Sequence, residues 1–366
     1  MLKERLREYI RQKQDFDTGI LSYIPFGEAL PSLSKYVPGL IRGTYYSITS
    51  FANVGKTPLA KFMFVRIPFY YYRTKGIKLK IMYFCLEETG SQFIDSFVSA
   101  ELYKKHGVLI DYNQLNSYGK SLDSDILDKI KNLNSYFSEL EKVLTVVHTA
   151  TTPEDIIRHI NRYAVANGKF FYKETEVTLD DEYTHYVPND PEEFVIIVVD
   201  HINLLLGHLP NDTTFKSIER FSKEYMLGKC IKTYNYIVCA VHQQASEGEN
   251  VEHSKLRNNE ASLATLGDCK LPQRDYLVVF GLNMPQRYGI SEHRGYKLTE
   301  FGDSRDRYRS IQILKNRFGR SQVYKGMWFT PEAGYFEELP LPNEINYESY
   351  VSAPKQTKSN TNYATK

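Results

Sequence analysis

The eight residues Ser50-Phe51-Ala52-Asn53-Val54-Gly55-Lys56-Thr57 constrain this chain more than any others. The apolar run 45–49 before them reads as a strand, and the run 58–69 after them reads as a helix. A tight turn between a strand and a helix points successive backbone N–H groups, and the positive end of the helix, at one place. That place holds phosphate. In such a loop Lys56 reaches the β- and γ-phosphates of a nucleotide. The Thr57 hydroxyl sits on Mg²⁺, and Ser50, Asn53, Val54 and Gly55 form the cradle. Pro58 suits a first helical turn, where its missing N–H costs nothing. The usual pattern, G-x-x-x-x-G-K-[ST], opens on glycine, whereas this loop opens on Ser50. Serine makes the turn only if its backbone stays in a region open to L-residues.

A chain of 366 residues is long enough for one large α/β domain with additions or for two small domains. The net charge of +2 neither requires nor excludes nucleic acid, because a basic lining can hide inside a balanced total. The four cysteines, Cys85, Cys230, Cys239 and Cys269, form no C-x-x-C pair and no metal spacing. They fit free thiols in a reducing compartment, so a cytoplasmic location is expected. Residues 1–14 are charged throughout, which is unlike a secretory leader. No apolar run reaches the roughly 18–20 residues that span a bilayer, so no membrane partner is expected.

Strand and helix patterns alternate along most of the sequence. Strands are expected at 45–49, 80–86, 144–148, 194–200, 236–241, 276–282, 310–315 and 325–329. Helices are expected at 58–74, 90–105, 124–141, 153–167 and 215–232. Such alternation means an α/β fold with a mainly parallel sheet covered on both faces. The late strands crowd together and predict an antiparallel edge. Residues 1–17 form a linker region with a short charged helix over 2–13, and the main domain covers 18–339. Residues 169–193 form a polar insertion, read as a hairpin of 170–173 with 176–179. Residues 340–366 lose their apolar content and read as a disordered tail.

Three apolar strands end in polar residues. Phe194-Val195-Ile196-Ile197-Val198-Val199-Asp200 has the continuous hydrophobicity of a buried parallel strand. Its carboxylate falls at the edge where open α/β sheets bind ligands, which makes Asp200 the candidate Mg²⁺ residue. Ile81-Met82-Tyr83-Phe84-Cys85-Leu86 runs into Glu87 and Glu88, either of which suits the orientation of an attacking water. The third strand runs into His242-Gln243-Gln244, where a side chain can sense a γ-phosphate. The plain alternatives are a capping aspartate, solvated acids and a polar loop start.

From about residue 24 to 336 the chain resembles the ATPase domain of DnaB-type replicative helicases, a group of RecA-like hexameric motors. The resemblance rests on five stretches beyond the loop. Residues 24–43, with Pro38-Gly39-Leu40-Ile41-Arg42-Gly43, are similar to the family's lead-in to its first strand. Phe84-Cys85-Leu86-Glu87 is similar to F-S-L-E and selects Glu87 as the catalytic carboxylate. Asp200-His201-Ile202-Asn203-Leu204-Leu205 resembles D-Y-L-Q-L-[IM]. His242-Gln243-Gln244 resembles S-Q-L and makes Gln243 the γ-phosphate sensor, with His242 as a rival because some phage relatives use histidine here. Leu314-Lys315-Asn316-Arg317-Phe318-Gly319 resembles K-x-R-x-G.

The resemblance implies an ATP- and Mg²⁺-dependent hydrolase with a RecA-like core that forms a ring, expected to be a hexamer, on single-stranded DNA. It implies that Lys315 and Arg317 act on a neighbouring subunit's nucleotide, and that a primase or helicase loader is a partner. The loops after Asp200 and over 245–262 would line the DNA channel, the latter with Lys255 and Arg257 as its cations. The family's helical primase-docking domain has no counterpart in this sequence. Residues 2–13 match the linker helix that packs on the next subunit. Absence of that domain, with many Tyr, Asn, Lys and Ile, suggests a phage or mobile-element origin. Two other functions share the features: a RecA/RadA-like recombinase or mediator that forms filaments, and an ATP-binding scaffold without turnover, for which Ser50 is the main argument.

Overall fold

The computed structural model describes residues 2–172, 183–207, 211–249 and 259–351. Helix α1 (Leu2–Asp17) stands before a two-stranded ribbon, β1 (Tyr23–Pro25) antiparallel to β2 (Gly39–Ile41). Strand β3 (Tyr45–Ser50) then feeds the phosphate-loop segment. One long helix follows in three parts: α2 (Lys56–Lys61), a π segment (Phe62–Arg66) and α3 (Ile67–Lys75). The π segment has a local cause. Pro68 has no N–H to donate to Phe64, and its ring crowds that carbonyl. The helix widens just before it, and the Ile67 N–H donates to the Phe62 carbonyl, five residues back.

Strand β4 (Leu79–Cys85) leads to α4 (Gly90–His106), whose start is fixed by a capping box between Thr89 and Gln92. Helices α5 (Tyr112–Leu115), α6 (Ser124–Lys131) and α7 (Asn134–Val143) precede β5 (Leu144–Val147) and α8 (Pro153–Ala166). The single helix expected over 124–141 is thus two, broken at Asn132 and Leu133. Leu133 is buried beneath α4 with Val98 and Leu102. A hairpin, β6 (Gly168–Tyr172) with β7 (Tyr183–Pro188), occupies the insertion. Its first strand lies close to the one expected. The second expected strand, 176–179, lies outside the described residues, and the observed partner strand comes later. Nor is this hairpin wholly superficial. Tyr186 is buried, and its hydroxyl donates to the Ala164 carbonyl at the end of α8.

Strand β8 (Phe194–Asp200) is followed by α9 (Thr214–Arg220), which continues as a π helix (Phe221–Ile231), and by β9 (Ile237–Gln243). The chain then forms β10 (Val278–Asn283), a small ribbon of β11 (Glu292–His293) and β12 (Tyr296–Lys297), and the strands β13 (Tyr308–Asn316), β14 (Val323–Thr330) and β15 (Tyr335–Glu338). The nine-stranded sheet has the order β15-β14-β13-β10-β3-β9-β8-β4-β5. From β10 to β5 the pairings are parallel. From β10 outward to β15 they are antiparallel, as the crowding of late strands predicts.

The period-two rule divides the core in two. Ile196 and Val198 of β8 join Tyr46, Ile48 and Tyr83 under α2, α3, α4 and α7. Val195, Ile197 and Val199 join Tyr45 and Val238 under α8 and the α9 helix. A third cluster forms where Phe301, Tyr308 and Trp328 meet Ile345, Tyr347 and Tyr350. Residues 340–351, expected to start a disordered tail, therefore pack on the core as far as the short helix Glu348–Val351. Their two tyrosines and Ile345 supply the apolar contact that the polar surroundings hide. Residues 352–366 lie outside the described residues. The four cysteines are free and buried.

Ile197 is fully buried in the central strand of the parallel region. Ile197→Ala leaves a cavity between two layers that cannot collapse, and is expected to cost about 2–5 kcal/mol. Urea unfolding of the variant beside the parent checks this.

Candidate active site

Because β3, β4, β8 and β9 are parallel, their carboxyl ends share one edge of the sheet. Ser50, Cys85, Asp200 and Gln243 are the last residues of those strands, and pairing sets Ser50 against Gln243 and Cys85 against Asp200. Topology alone thus brings the phosphate-loop segment, Glu87, Asp200 and Gln243 together, as open α/β sheets do with ligand sites.

Ser50 still belongs to the strand and is not among the residues with positive φ. Its side chain is buried, and its Oγ donates to the Phe51 carbonyl at 2.8 Å. A glycine is therefore not required at the loop's first position. The left-handed residues are Asn53, with φ 59°, and Gly55, with φ 114°. Asparagine tolerates that region. At Gly55 a side chain would be strained by φ and would also meet Phe336 at 3.3 Å and Phe329 at 3.4 Å. Those two rings stack with centroids 4.4 Å apart and form the seat of the loop.

Lys56 is buried, and its Nζ donates to the Phe51 carbonyl at 3.2 Å. Burial lowers its pKa, while the charges of Asp200, Glu87 and Glu249 pull the other way. Asp200 is 1% exposed. Its Oδ2 accepts from the Tyr83 hydroxyl at 2.6 Å, and its Oδ1 has no partner although it is buried. A buried carboxylate oxygen is costly unless something binds it. An orphan carboxylate oxygen of this kind suits a cation, and Asp200 with Thr57 would be the residues to hold Mg²⁺ and supply charge neutralisation there. Glu87 is exposed and lies 3.7 Å from the Nε2 of His201. Glu88 is committed elsewhere, with an ion pair to the buried Lys61 at 2.5 Å. Of the two acids, Glu87 is the one open to the site.

Gln243 has its backbone fixed: its N–H donates to Asn203 Oδ1 at 2.7 Å, and its carbonyl accepts from the Gly267 N–H at 2.9 Å. Its side-chain amide has no hydrogen-bond partner among the described residues. His242 is fully buried, with its two ring nitrogens against the Tyr276 hydroxyl at 3.1 Å and the Gly267 carbonyl at 2.9 Å. Gln244 is tied to Thr49 and Ser262. Gln243 is thus the member of the triplet whose side chain is not engaged by the core.

Lys315 and Arg317 are not brought to this edge. Strand β13 runs antiparallel to β10, so its end lies at the opposite, amino edge. Lys315 pairs with Val279 and donates to the Gln273 and Arg274 carbonyls. The exposed Arg317 is level with Leu277, whose N–H donates to the Tyr45 carbonyl at the start of β3. From Tyr45 to Ser50 is roughly 16 Å along the strand. Lys255 and Arg257 lie outside the described residues.

Several residues of the site carry no sequence signal. Arg309, at the start of β13, is buried and donates through Nε to the Val54 carbonyl at 2.7 Å. Arg287 donates to the Ala52 carbonyl at 2.8 Å and pairs with Glu249 at 3.2 Å. Two arginines from distant segments thus hold the loop's carbonyls outward, which leaves its N–H groups to face a ligand. Tyr83 and Asn203 position Asp200 and Gln243. His201 sits between Asp200 and Glu87. Burial lowers its pKa, and those two acids oppose the shift.

One solved structure, described as an ATPase domain, is similar to this chain over 92% of its residues and 99% of that domain, with a TM-score of 0.64 and 15% identity. A DnaB-like replicative helicase, described with its interactions with primase, is similar over 90% of this chain and 67% of that one, with a TM-score of 0.63 and 16% identity. No protein-family model matches the sequence, and no curated protein matches it. At these identities the likeness is one of fold. The chain has the α/β, RecA-like fold of the ATPase domain of DnaB-type replicative helicases.

Burial pushes the His242 imidazole down to about 4. Unfolded, it titrates near 6.5 and binds the proton that the folded protein refuses, so stability falls as pH drops from about 6.5 to about 4. The loss from this one group is on the order of 3 kcal/mol. His242→Gln is less stable at neutral pH, because it loses bonds to Tyr276 and Gly267, yet should show a flatter profile between these pH values. Parallel urea titrations at pH 4.5 and pH 7 check it.

Proposed function

We propose that this chain is an ATP-hydrolysing, Mg²⁺-dependent motor of the DnaB type. It assembles into a ring on single-stranded DNA and couples hydrolysis to translocation and strand separation in replication. The observation that carries this reading is the division of the candidate residues between two edges of one sheet. The carboxyl edge holds Lys56, Asp200, Glu87 and Gln243, and the amino edge holds Lys315 and Arg317.

The roles follow from chemistry. The loop N–H groups, Thr57 and Lys56 bind the triphosphate. Asp200, with its orphan oxygen, and Thr57 hold Mg²⁺, which neutralises phosphate charge when bound. Glu87 orients the attacking water and accepts its proton, with His201 close enough to tune that acceptor. The Gln243 amide reads the γ-phosphate and passes its state through the β9 end to the loop that follows. That loop includes Lys255 and Arg257 as proposed DNA-phosphate contacts. Lys315 and Arg317 complete the site of the next subunit and neutralise charge that develops in the transition state. Helix α1 supports assembly: Leu2, Leu6 and Ile10 are at least half exposed and share one face. An unpartnered apolar face of this kind suits a linker helix that packs on a neighbour. The similar DnaB-like helicase is described with primase, and a primase or a loader is the corresponding partner proposed here. No helix among the described residues is long and apolar enough to cross a membrane.

Steady-state ATPase activity, with and without single-stranded DNA, tests the reading. DNA-stimulated turnover is expected. Glu87→Gln should keep nucleotide binding and lose turnover by about 10²-fold or more on the usual scale for general-base removal. Glu88→Gln breaks only the Lys61 pair and should stay active. The reverse result shifts the catalytic carboxylate by one residue.

The shared site has its own test. Arg317→Ala should bind ATP and lose about 10³–10⁵ in rate, the range for arginine fingers. Lys56→Ala should be inactive through the loss of phosphate binding. Mixed assemblies of the two variants contain interfaces with one intact loop and one intact finger, and these should regain activity. Normal hydrolysis by Arg317→Ala alone would sink the proposal that the site is shared.

A further inference from the structure

A cavity of about 260 Å³ lies among α3, α4, α7 and β15, apart from the carboxyl edge of the sheet. Arg66, Arg73, Lys104 and Lys105 line it, against one lining carboxylate, Glu101. Glu101 is almost wholly buried and is shared between Arg66 at 3.4 Å and Lys105 at 4.0 Å. Neither contact is a tight, two-pronged pair. The Arg66 side chain is 8% exposed, and its Nη1 is buried with no hydrogen-bond partner. Arg73 pairs outside the cavity with Glu139 at 2.9 Å. Aromatic rings hold these cations from the side: Arg66 lies over Tyr335 at 5.0 Å, and Arg73 and Lys105 lie over Tyr136 at 5.6 and 5.2 Å. Burial lowers the Lys104 ammonium to about 8. Glu101 opposes that shift, while Arg66, Lys105 and Arg73 add to it.

We propose that this cavity is a binding site for a phosphate monoester carried on a small molecule. Positive charge converges there in excess, and an orphaned guanidinium N–H waits inside. A carboxylate ligand would add one negative charge, which Glu101 already supplies. A phosphate monoester brings about −1.5 to −2 and three strong acceptor oxygens. The planar fork of Arg66 matches such oxygens. The volume is below the roughly 300–1,000 Å³ of drug-sized pockets, which suits one phosphate with a small ring and not a protein segment. The aromatic walls, Phe62, Phe69, Tyr70, Tyr136 and Tyr335, give that ring a surface. This site is independent of the nucleotide site. Arg66 is ten residues beyond Lys56, roughly 15 Å along the same helix.

Titration calorimetry on the full chain tests the proposal, with inorganic phosphate and with thymidine monophosphate as probes. Binding is expected to persist in Lys56→Ala, which disables the phosphate loop, and to weaken at least tenfold in Lys104→Gln and in Arg73→Gln. These two residues sit nearer the rim than Arg66, so their replacement spares the buried pair. Equal binding of the two probes supports a site that reads phosphate alone, and tighter binding of the nucleotide supports a site that also reads the ring. Labelling with an amine reagent at pH 8 supplies a second readout: Lys104 should react early and be protected by the bound probe. Absence of binding by both probes overturns the proposal. So does binding that disappears in Lys56→Ala and survives in Lys104→Gln, or labelling of Lys104 that neither probe slows.

Discussion

Asp200 is a carboxylate inside the protein, and much of the site follows from the need to keep it there. Water cannot solvate it, so each of its oxygens needs a partner from the fold or from a ligand. Tyr83 supplies one, from the neighbouring strand β4. This works only because Asp200 and Tyr83 point to the same face, the face that Ile196 and Val198 share with α2. A one-residue slip of β8 would turn Asp200 toward α8 and move the core residues of the strand to the wrong sides. Both faces of β8 are apolar, so it is the register itself, paired with β4 and β9, that aims the acid.

The phosphate-loop segment is a second case of a costly conformation held from outside. Its carbonyls would face the ligand as readily as its N–H groups if nothing restrained them. Arg309 and Arg287 take the Val54 and Ala52 carbonyls, and Lys56 takes that of Phe51. Burial lowers Arg309 to about 10, still charged at neutral pH. Its contact with the loop comes from the start of β13. Strand β13 thus braces the carboxyl edge at its beginning and carries Lys315 and Arg317 to the amino edge at its end.

Much of this was legible in the sequence because it rests on short-range pattern. The eight main strands and most helices announce themselves by period and by their turns, and strand 194–200 matches residue for residue. The parallel order then follows from alternation. What stayed hidden depends on contacts far apart in sequence. Arg309 reaches back 255 positions to Val54, and no local pattern marks it among the other arginines. Tyr83 is one tyrosine among 29. The break at Asn132 and Leu133 reflects packing on α4. The ordered segment 340–351 reads as polar because its apolar groups are spaced along an irregular chain, with no helical or strand period to reveal them. Glu87 could not be separated from Glu88 by strand pattern. The resemblance to F-S-L-E made that distinction, and the ion pair of Glu88 with Lys61, on a different element, gives it a physical basis.

The opposed edges also bear on assembly. A contact that sets the amino edge of one chain against the carboxyl edge of the next joins two different surfaces, so it is head-to-tail. Such contacts close into a ring when the rotation between neighbours divides a full turn, and they wind into a filament when it does not. The proposed role of Arg317 therefore suits both outcomes, since either would bring it to a neighbouring subunit. A second tether that spans the same pair of subunits restricts the rotation. Under the proposal of a ring, α1 is that tether. It projects an apolar face on which Leu2, Leu6, Tyr9, Ile10 and Phe16 are all exposed. Packed on a neighbour, it would withdraw that surface from water at about 25 cal/mol per Å² and set the angle between subunits. Under that proposal, ring closure would rest on this first helix, and the contribution to a neighbour's site on the end of β13.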